Sequence, residues 1–314
     1  MGGQSAVFNR RTFSWHYHCA GFSGGRLSGR AAQCLITLGL ALCLALPAQA
    51  FGERGHQIVA QLSTYYLSDD AQALVRDLYG EHYRRLLLED ANYAQQVTRR
   101  RGNEWRLGFH YTFFEEGDTG FQPERHCPNG ICSVAAVLDA EAVLADESAS
   151  RARRLDAFRF LVHYMADLHD PVNAGFSHDR GGRETELVGS DLERRSLFEI
   201  WQNDLFDHLS HPPFVMANIF ARQITDEQRR EWQQGEPASW VWETHEVARD
   251  LAYPLADRAG GWNSVYRREA LPALETQLKK AGVRLATRLN QVAAAGLIQD
   301  PLPGNTDVME FEAP

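Results

Sequence analysis

The sequence predicts an all-α protein with a single domain, on three observations. Apolar residues recur at a spacing close to 3.6 through most of the chain and seldom alternate with polar ones, which is typical of amphipathic helices. The composition, 44% hydrophobic and 23% charged, is that of a globular protein and excludes collagen-like, disordered and coiled-coil classes. Neither a repeat period nor a low-complexity linker divides the chain. We expect one helical domain over 51–300 and a loose tail over 301–314.

The first 50 residues are predicted to be an export leader. Four arginines and no acidic residue accompany an apolar run of 13 residues from Cys34 to Leu46, which is shorter than the roughly 20 residues needed to span a bilayer. The run leads to Ala48-Gln49-Ala50, the small-x-small pattern that signal peptidase reads. We expect cleavage after Ala50, a mature chain that starts at Phe51, and a secreted or periplasmic protein without integral membrane association.

Three apolar stripes predict the main helices. They comprise Ile58, Val59, Leu62 and Tyr66 near the start, Leu155, Phe158, Leu161, Val162 and Met165 in the middle, and Leu274, Leu278, Ala281, Leu285, Leu289 and Val292 near the end. We expect Pro272 in the first turn of the last helix, where its missing N–H is tolerated. The segment from Gly102 to Asn129 breaks this pattern and predicts a small irregular or short-strand region.

Two cysteines remain once the leader is removed. Cys127 and Cys132 flank the turn-forming residues 128–130, and export would carry them into an oxidising compartment. The sequence therefore predicts a local disulfide.

The charge balance limits how this protein could bind nucleic acid. The leader holds four of the 32 basic side chains and none of the 41 acidic ones, so 28 basic side chains remain and the net charge of the mature chain is −13. General electrostatic binding of duplex DNA, which depends on Lys and Arg, is therefore not expected. A catalytic site in which bound cations meet the phosphate remains open.

Histidines and aspartates are the candidates for chemistry. His163 and Asp167 are four residues apart on a predicted helix that ends near Pro171, so both project from one face. Such a pair is either part of a metal site or a structural hydrogen bond. His56 and His110 are further imidazoles in apolar surroundings, where a buried ring without a partner would be costly.

The mature chain resembles the secreted zinc nucleases of the S1/P1 family, which share an all-α fold with phospholipase C. The resemblance rests on 51–60, Trp105 followed by His110, the Cys127/Cys132 loop, 160–171, 179–182 and 281–286. It implies a zinc-dependent endonuclease of the same fold, which hydrolyses single-stranded DNA or RNA. Protein partners do not follow from the sequence.

The resemblance also implies which residues hold zinc. One zinc would take His110, His163 and Asp167; a second would take the amine and carbonyl of Phe51, together with His56 and the shared Asp167. Asp167 is thus the implied catalytic residue of a two-metal hydrolase, in which the cations activate water and hold the charge that develops on phosphate.

The sequence departs from the family pattern at five positions. In the register set by Trp105, Gln95 replaces a zinc-binding aspartate that also orients the attacking water, and Thr98 replaces an arginine that stabilises the transition state. The residues in place of the three ligands of a third zinc are Asn173, Phe198 and Gln202. We therefore expect two zinc ions per chain, with the third family site lost.

Three functions are consistent with this pattern. The first is a two-metal nuclease, to which Tyr111 could contribute a ring that stacks on a base, although this aromatic segment also fits a place in the core. The second is a weakened or inactive nuclease fold that acts as a binding protein. The third is a lipid phosphodiesterase like phospholipase C.

Overall fold

The computed structural model describes residues 52–295, and this part of the chain confirms the predicted all-α fold class. The helices are α1 (Gly52–Ser63), α2 (Asp69–Tyr79), α3 (Tyr83–Asp90), α4 (Tyr93–Thr98), α5 (Pro123–His126), α6 (Ser133–Ala145), α7 (Arg151–Asp167), α8 (Leu197–Glu199), α9 (Pro213–Gln223), α10 (Asp226–Trp232), α11 (Pro237–Val247), α12 (Tyr253–Arg258) and α13 (Ser264–Ala295). Short 3-10 helices cover Glu104–His110, Pro128–Gly130 and Phe206–His208, and π-helical turns continue α8 over Ile200–Asp204 and α11 over Ala248–Ala252.

The helix α7 lies at the centre of the fold. Ser150 caps its first turn, where the side chain accepts a hydrogen bond from the N–H of Arg153 at 3.2 Å. It packs against α1, α4, α6, α13 and the 3-10 helix that ends at His110. Asp167 is its last residue, four positions before Pro171, as the sequence predicts. The helices that carry the candidate site residues therefore meet around the C-terminal end of α7.

The predicted apolar stripes of α1, α7 and α13 all lie in one shared core, with Tyr66 and Leu155 at its edge. The helices α1 and α13 approach very closely, because a Cβ atom placed on Gly282 would lie only 2.6 Å from the side chain of Leu62. Beyond the end of α1, the side chain of Asn290 donates to the carbonyl of Tyr66 at 2.9 Å and accepts from the N–H of Ser68 at 2.7 Å. The first and last described helices are thus joined directly.

The start of α13 differs from the prediction. The helix begins at Ser264, so Pro272 lies in its interior rather than in its first turn. The side chain of Asn263 accepts hydrogen bonds from the N–H groups of Val265 and Tyr266, at 2.8 and 3.2 Å, which fixes the earlier start. Tyr266 and Ala270 are buried and extend the apolar stripe. This packing offsets the backbone hydrogen bond that an internal proline removes.

The segment from Gly102 to Asn129 is irregular, as predicted, and contains only short helical turns and a single-residue bridge between Phe114 and Phe176. The paired strands of the described chain lie elsewhere, as β1 (Glu186–Val188) and β2 (Arg194–Ser196), antiparallel with Glu186 opposite Ser196. At three residues each, they are too short to produce a recognisable alternation in the sequence.

The predicted disulfide is confirmed, with the sulfur atoms of Cys127 and Cys132 2.02 Å apart. Asn129 and Gly130 form the turn between them with φ values of 58° and 69°. Over the described range 52–295, no helix has both the length and the apolar character needed to cross a membrane. The leader, the tail over 301–314 and Phe51 lie outside the described residues, and the expectations for them remain predictions.

Candidate metal centre

Asp167 is the centre of a buried cluster of imidazoles. Its Oδ1 lies 3.3 Å from His56 Nε2, and its Oδ2 lies 3.2 Å from His163 Nε2 and 2.7 Å from His110 Nδ1. None of these four side chains is more than 1% exposed. The structure thus brings together four of the five ligands that the family resemblance implies. The fifth, Phe51, is outside the described range.

Backbone carbonyls orient two of the imidazoles. His56 Nδ1 donates to the carbonyl of Gly52 at 3.2 Å, and His163 Nδ1 donates to that of Ala91 at 2.9 Å. Both rings therefore direct Nε2 toward Asp167, and they stack with their centroids 3.9 Å apart. This arrangement, in which a second hydrogen bond fixes the tautomer of each histidine, is typical of metal ligands.

His56, His163 and Asp167 offer ligand atoms that all lie within 4.8 Å of one another. Although His163 Nε2 is close to Asp167, it is buried and lacks the geometry of a hydrogen bond to any described group. A buried nitrogen in this position is costly unless something binds it. Two imidazoles and a carboxylate are a donor set suited to zinc, so these residues fit the metal that the family resemblance implies.

His110 contacts the group of His56, His163 and Asp167 through the Asp167 carboxylate. Its Nδ1 donates to Asp167 Oδ2, and its Nε2 lies 3.2 Å from the hydroxyl of Thr98. At the position where the family pattern has an arginine, this chain therefore has Thr98, whose hydroxyl holds His110 in place. Gln95 lies one turn earlier on α4, partly buried, and the structure shows no hydrogen bond from it to the cluster within the described residues.

The cluster stabilises a negative charge in a buried place. Burial alone would raise the pKa of Asp167, but the adjacent His163 and His110 hold it well below its usual range. Burial and the neighbouring His163 lower the pKa of His56. The site therefore combines a carboxylate with a largely neutral imidazole, which is the protonation state that metal binding requires.

Neutral amides occupy two of the three positions aligned with a third zinc site. The side chain of Asn173 donates to Asp167 Oδ1 at 3.0 Å. Gln202 Nε2 lies 3.4 Å from Asn173 Oδ1 and also donates to the carboxyl of Asp170, while Gln202 Oε1 accepts from the N–H of Gly52 at 3.3 Å. These amides bind one another and the cluster. Asp170 was not identified from the sequence; burial and the nearby Asp167 raise its pKa well above the ordinary value.

Phe198, the third of these positions, lies beneath an arginine that sequence reasoning missed. The guanidinium carbon of Arg183 is 3.5 Å from the ring centroid of Phe198 and 4.7 Å from that of Tyr111. Arg183 also donates to the Tyr111 hydroxyl at 2.8 Å, and Phe113 stacks on Tyr111 with centroids 5.2 Å apart. A base that stacked on Tyr111 would have to compete with Arg183 and Phe113 for contact with this ring. Only the position of Arg183, directly after a glycine pair, could have drawn attention to it.

Comparison with known proteins places the chain among nucleases. The family model described as S1/P1 Nuclease matches residues 51–294. The chain is 24% identical to endonuclease 3 of Arabidopsis thaliana, over 79% of this chain and 90% of that protein. It is 23% identical to nuclease P1 of Penicillium citrinum, over 77% and 97% of the two chains, and 22% identical to nuclease S1 of Aspergillus oryzae, over 81% and 95%.

Proposed function

The chain belongs to the S1/P1 nuclease family, which indicates a hydrolytic nuclease, and we propose that it cleaves single-stranded DNA or RNA at a reduced centre of two zinc ions. The observation that carries this proposal is the buried Asp167 carboxylate with an imidazole nitrogen of His56, His110 and His163 within 3.3 Å. When bound, the zinc ions would supply Lewis-acid stabilisation of the charge that develops on phosphate.

The chain's own residues would prepare this centre. His56 and His163 are oriented by carbonyl groups before any metal binds, so little ordering remains to be done on binding. Asp167 faces both imidazoles and would hold the cations together with them. We propose that export cleavage after Ala50 exposes the amine of Phe51, one residue before Gly52, to complete the second site.

The burial of the cluster supports a preference for single strands. Because His56, His163 and Asp167 are fully buried, we propose that a phosphodiester reaches them through a recess in the surface. A single strand can bend into such a recess, whereas a stiff duplex resists the deformation. The net charge of −13 after removal of the leader also gives little attraction for a duplex surface.

The proposed location rests on the leader and the disulfide. The bond between Cys127 and Cys132 is typical of a protein that matures in an oxidising compartment. We therefore propose that the nuclease is secreted or periplasmic.

The test uses protein processed to begin at Phe51, with its terminus verified and its metal content measured by elemental mass spectrometry. We expect two zinc ions per chain and cleavage of a single-stranded oligonucleotide, with the matching duplex cut far more slowly. A chelator should abolish cleavage and zinc should restore it. The matched control retains Ala50 as one additional N-terminal residue, and we expect it to lose one zinc and most of the activity.

Other outcomes would identify another function. Turnover of phosphatidylcholine vesicles without cleavage of the oligonucleotide would contradict the nuclease and favour a lipid phosphodiesterase. Binding of the oligonucleotide without cleavage, by protein with one zinc or none, would favour a binding protein built on the nuclease fold.

A further inference from the structure

Arg183 carries a positive charge with no carboxylate of the described residues within ion-pair distance. It is only partly exposed, yet within the described residues it makes no ion pair, whereas the buried Arg284 and Arg288 are each paired with glutamates. Among the described residues, its side chain donates to the carbonyl of Arg180 at 2.5 Å and to the Tyr111 hydroxyl at 2.8 Å. Burial lowers the pKa of Arg183, but a guanidinium stays protonated at any pH at which the protein is folded.

A tight turn holds the backbone before Arg183. Gly181 and Gly182 both have positive φ, 71° and 81°, and a Cβ atom on Gly181 would lie 2.1 Å from the carbonyl oxygen of Val172. Only glycine fits this close approach. The turn therefore packs directly against the loop that follows Asp167.

Asp179 anchors the segment 179–185 through its hydrogen bonds. Its carboxylate accepts hydrogen bonds from the hydroxyl of Thr185 at 2.6 Å and from that of Tyr253 at 2.8 Å. Its backbone carbonyl accepts from the N–H of Arg183 at 3.0 Å. With the backbone anchored and the guanidinium stacked on Phe198, the position of the charge is set before a ligand arrives.

The charge is placed at the edge of the metal centre. Phe198 is four residues before Gln202, which belongs to the amide network that reaches Asp167 through Asn173. Tyr111, the other ring beside Arg183, directly follows His110, and their ring centroids are 6.1 Å apart. A guanidinium offers a planar fork of N–H groups that matches two phosphate oxygens.

We propose that Arg183 binds the scissile phosphate and supplies, as a fixed guanidinium, the positive charge that a third metal ion would otherwise bring to this side of the centre. This inference rests on the proposed nuclease function. The ligand it takes is a phosphate group, either a phosphodiester monoanion or a phosphate monoester dianion, bound by N–H groups of Arg183 that donate neither to Tyr111 nor to the carbonyl of Arg180. Phe198 provides the platform on which the guanidinium lies.

The test compares three variants with the parent, all loaded with zinc. Arg183→Met removes the charge but keeps an apolar side chain over Phe198, Arg183→Lys keeps a charge without the planar fork, and Arg180→Met is the matched control that removes an exposed charge from the same turn. Calorimetry with thymidine 5′-monophosphate and with inorganic phosphate gives affinity, and an oligonucleotide assay gives kcat and KM. Zinc content and melting temperature are measured in parallel.

For Arg183→Met we expect affinity for both phosphate probes to fall about 10-fold or more, and kcat/KM to fall about 100-fold with most of the loss in kcat, at unchanged zinc content. Arg183→Lys should recover part of the affinity but little of kcat, and Arg180→Met should match the parent. If Arg183→Met does not fold, the same comparison is made with Arg183→Lys, for which we expect a smaller loss of affinity and a clear loss of kcat.

The outcomes separate this inference from the proposed function. Parent protein that cleaves DNA, with phosphate affinity and kcat unchanged in the Arg183 variants, would overturn the role of Arg183 and leave the nuclease intact. Parent protein that cleaves nothing but binds phosphate through Arg183 would overturn the proposed function and leave the anion site.

Discussion

The ion pairs along α13 and the cluster around Asp167 are both buried, but their charges are balanced in different ways. On α13, Arg288 binds the carboxylate of Glu141 through Nε at 2.7 Å and Nη2 at 2.5 Å, and that of Glu236 through Nη1 at 2.5 Å. Arg284 binds Glu243 at 2.7 Å. Each charge there faces an opposite charge in the protein itself.

The Asp167 cluster has no arginine–carboxylate pair of this kind among the described residues. Its carboxylate is surrounded by imidazoles instead of a lysine or an arginine, and His163 directs a nitrogen without a hydrogen bond into the centre. Arg183, which makes no ion pair within the described residues, lies beside Phe198 and Tyr111 at the edge of the site. Buried charges that pair within the protein hold helices together, whereas a buried carboxylate surrounded by imidazoles is suited to an ion that the chain does not itself provide.

The largest effect should come from Asp167→Asn. Removing the shared carboxylate leaves His56 and His163 without the charge that draws cations, so we expect cleavage of single-stranded DNA to fall to background and zinc content to fall below one per chain. Activity and elemental analysis measure this. The control is Asp139→Asn, which changes another buried carboxyl on α6 and should leave both quantities unchanged. Full zinc content in Asp167→Asn would contradict the central role of this carboxylate.

On the other side of the comparison, Glu141→Gln should destabilise the fold without affecting metal binding. It leaves Arg288 buried beside a neutral amide, and breaking a buried pair from one side costs about 3–5 kcal/mol. Glu236→Gln removes the half-exposed partner of the same arginine and should cost about 1 kcal/mol or less. Urea unfolding measures both. Equal losses in the two variants would show that burial does not decide the strength of these pairs.

The last effect depends on pH and concerns a buried carboxyl that has no counter-charge among the described residues. Burial raises the pKa of Asp139 to about 7, from 3.8. Between these values the unfolded chain releases a proton that the folded chain retains, so the contribution of Asp139 to stability is fully present below about pH 4 and is lost as the pH rises to about 7. Asp139→Asn should match the parent at about pH 4 and exceed its stability by about 2–4 kcal/mol at about pH 8, measured by urea unfolding. A pH-independent difference would contradict this assignment.

Much of the site could be predicted from sequence because its main residues are local or have a recognisable setting. His163 and Asp167 are one helical turn apart, and a helix places such residues together whatever the rest of the fold. His56 and His110 have no local relation to them, and only the resemblance to a family linked them to the site.

The interactions at the positions aligned with a third zinc site could not be predicted. The contact between Arg183 and Phe198, and that between Gln202 and Asp170, join residues far apart in the chain, and nothing in their local sequence specifies the pairing. The start of α13 was missed for a related reason. Pro272 is a local signal for a helix start, and the burial of Tyr266 and Ala270 in the tertiary core overrides it.

The close contact between α1 and α13 bears on when the protein becomes active during its synthesis. The helix that carries His56 packs against Gly282 and is tied through Tyr66 and Ser68 to Asn290, so a chain that has not yet emerged to its last helix lacks the support for its first. Contacts between such distant segments form late in folding because a long loop has to close first. The nascent polypeptide should therefore assemble the cluster around Asp167 only after its last helix has left the ribosome.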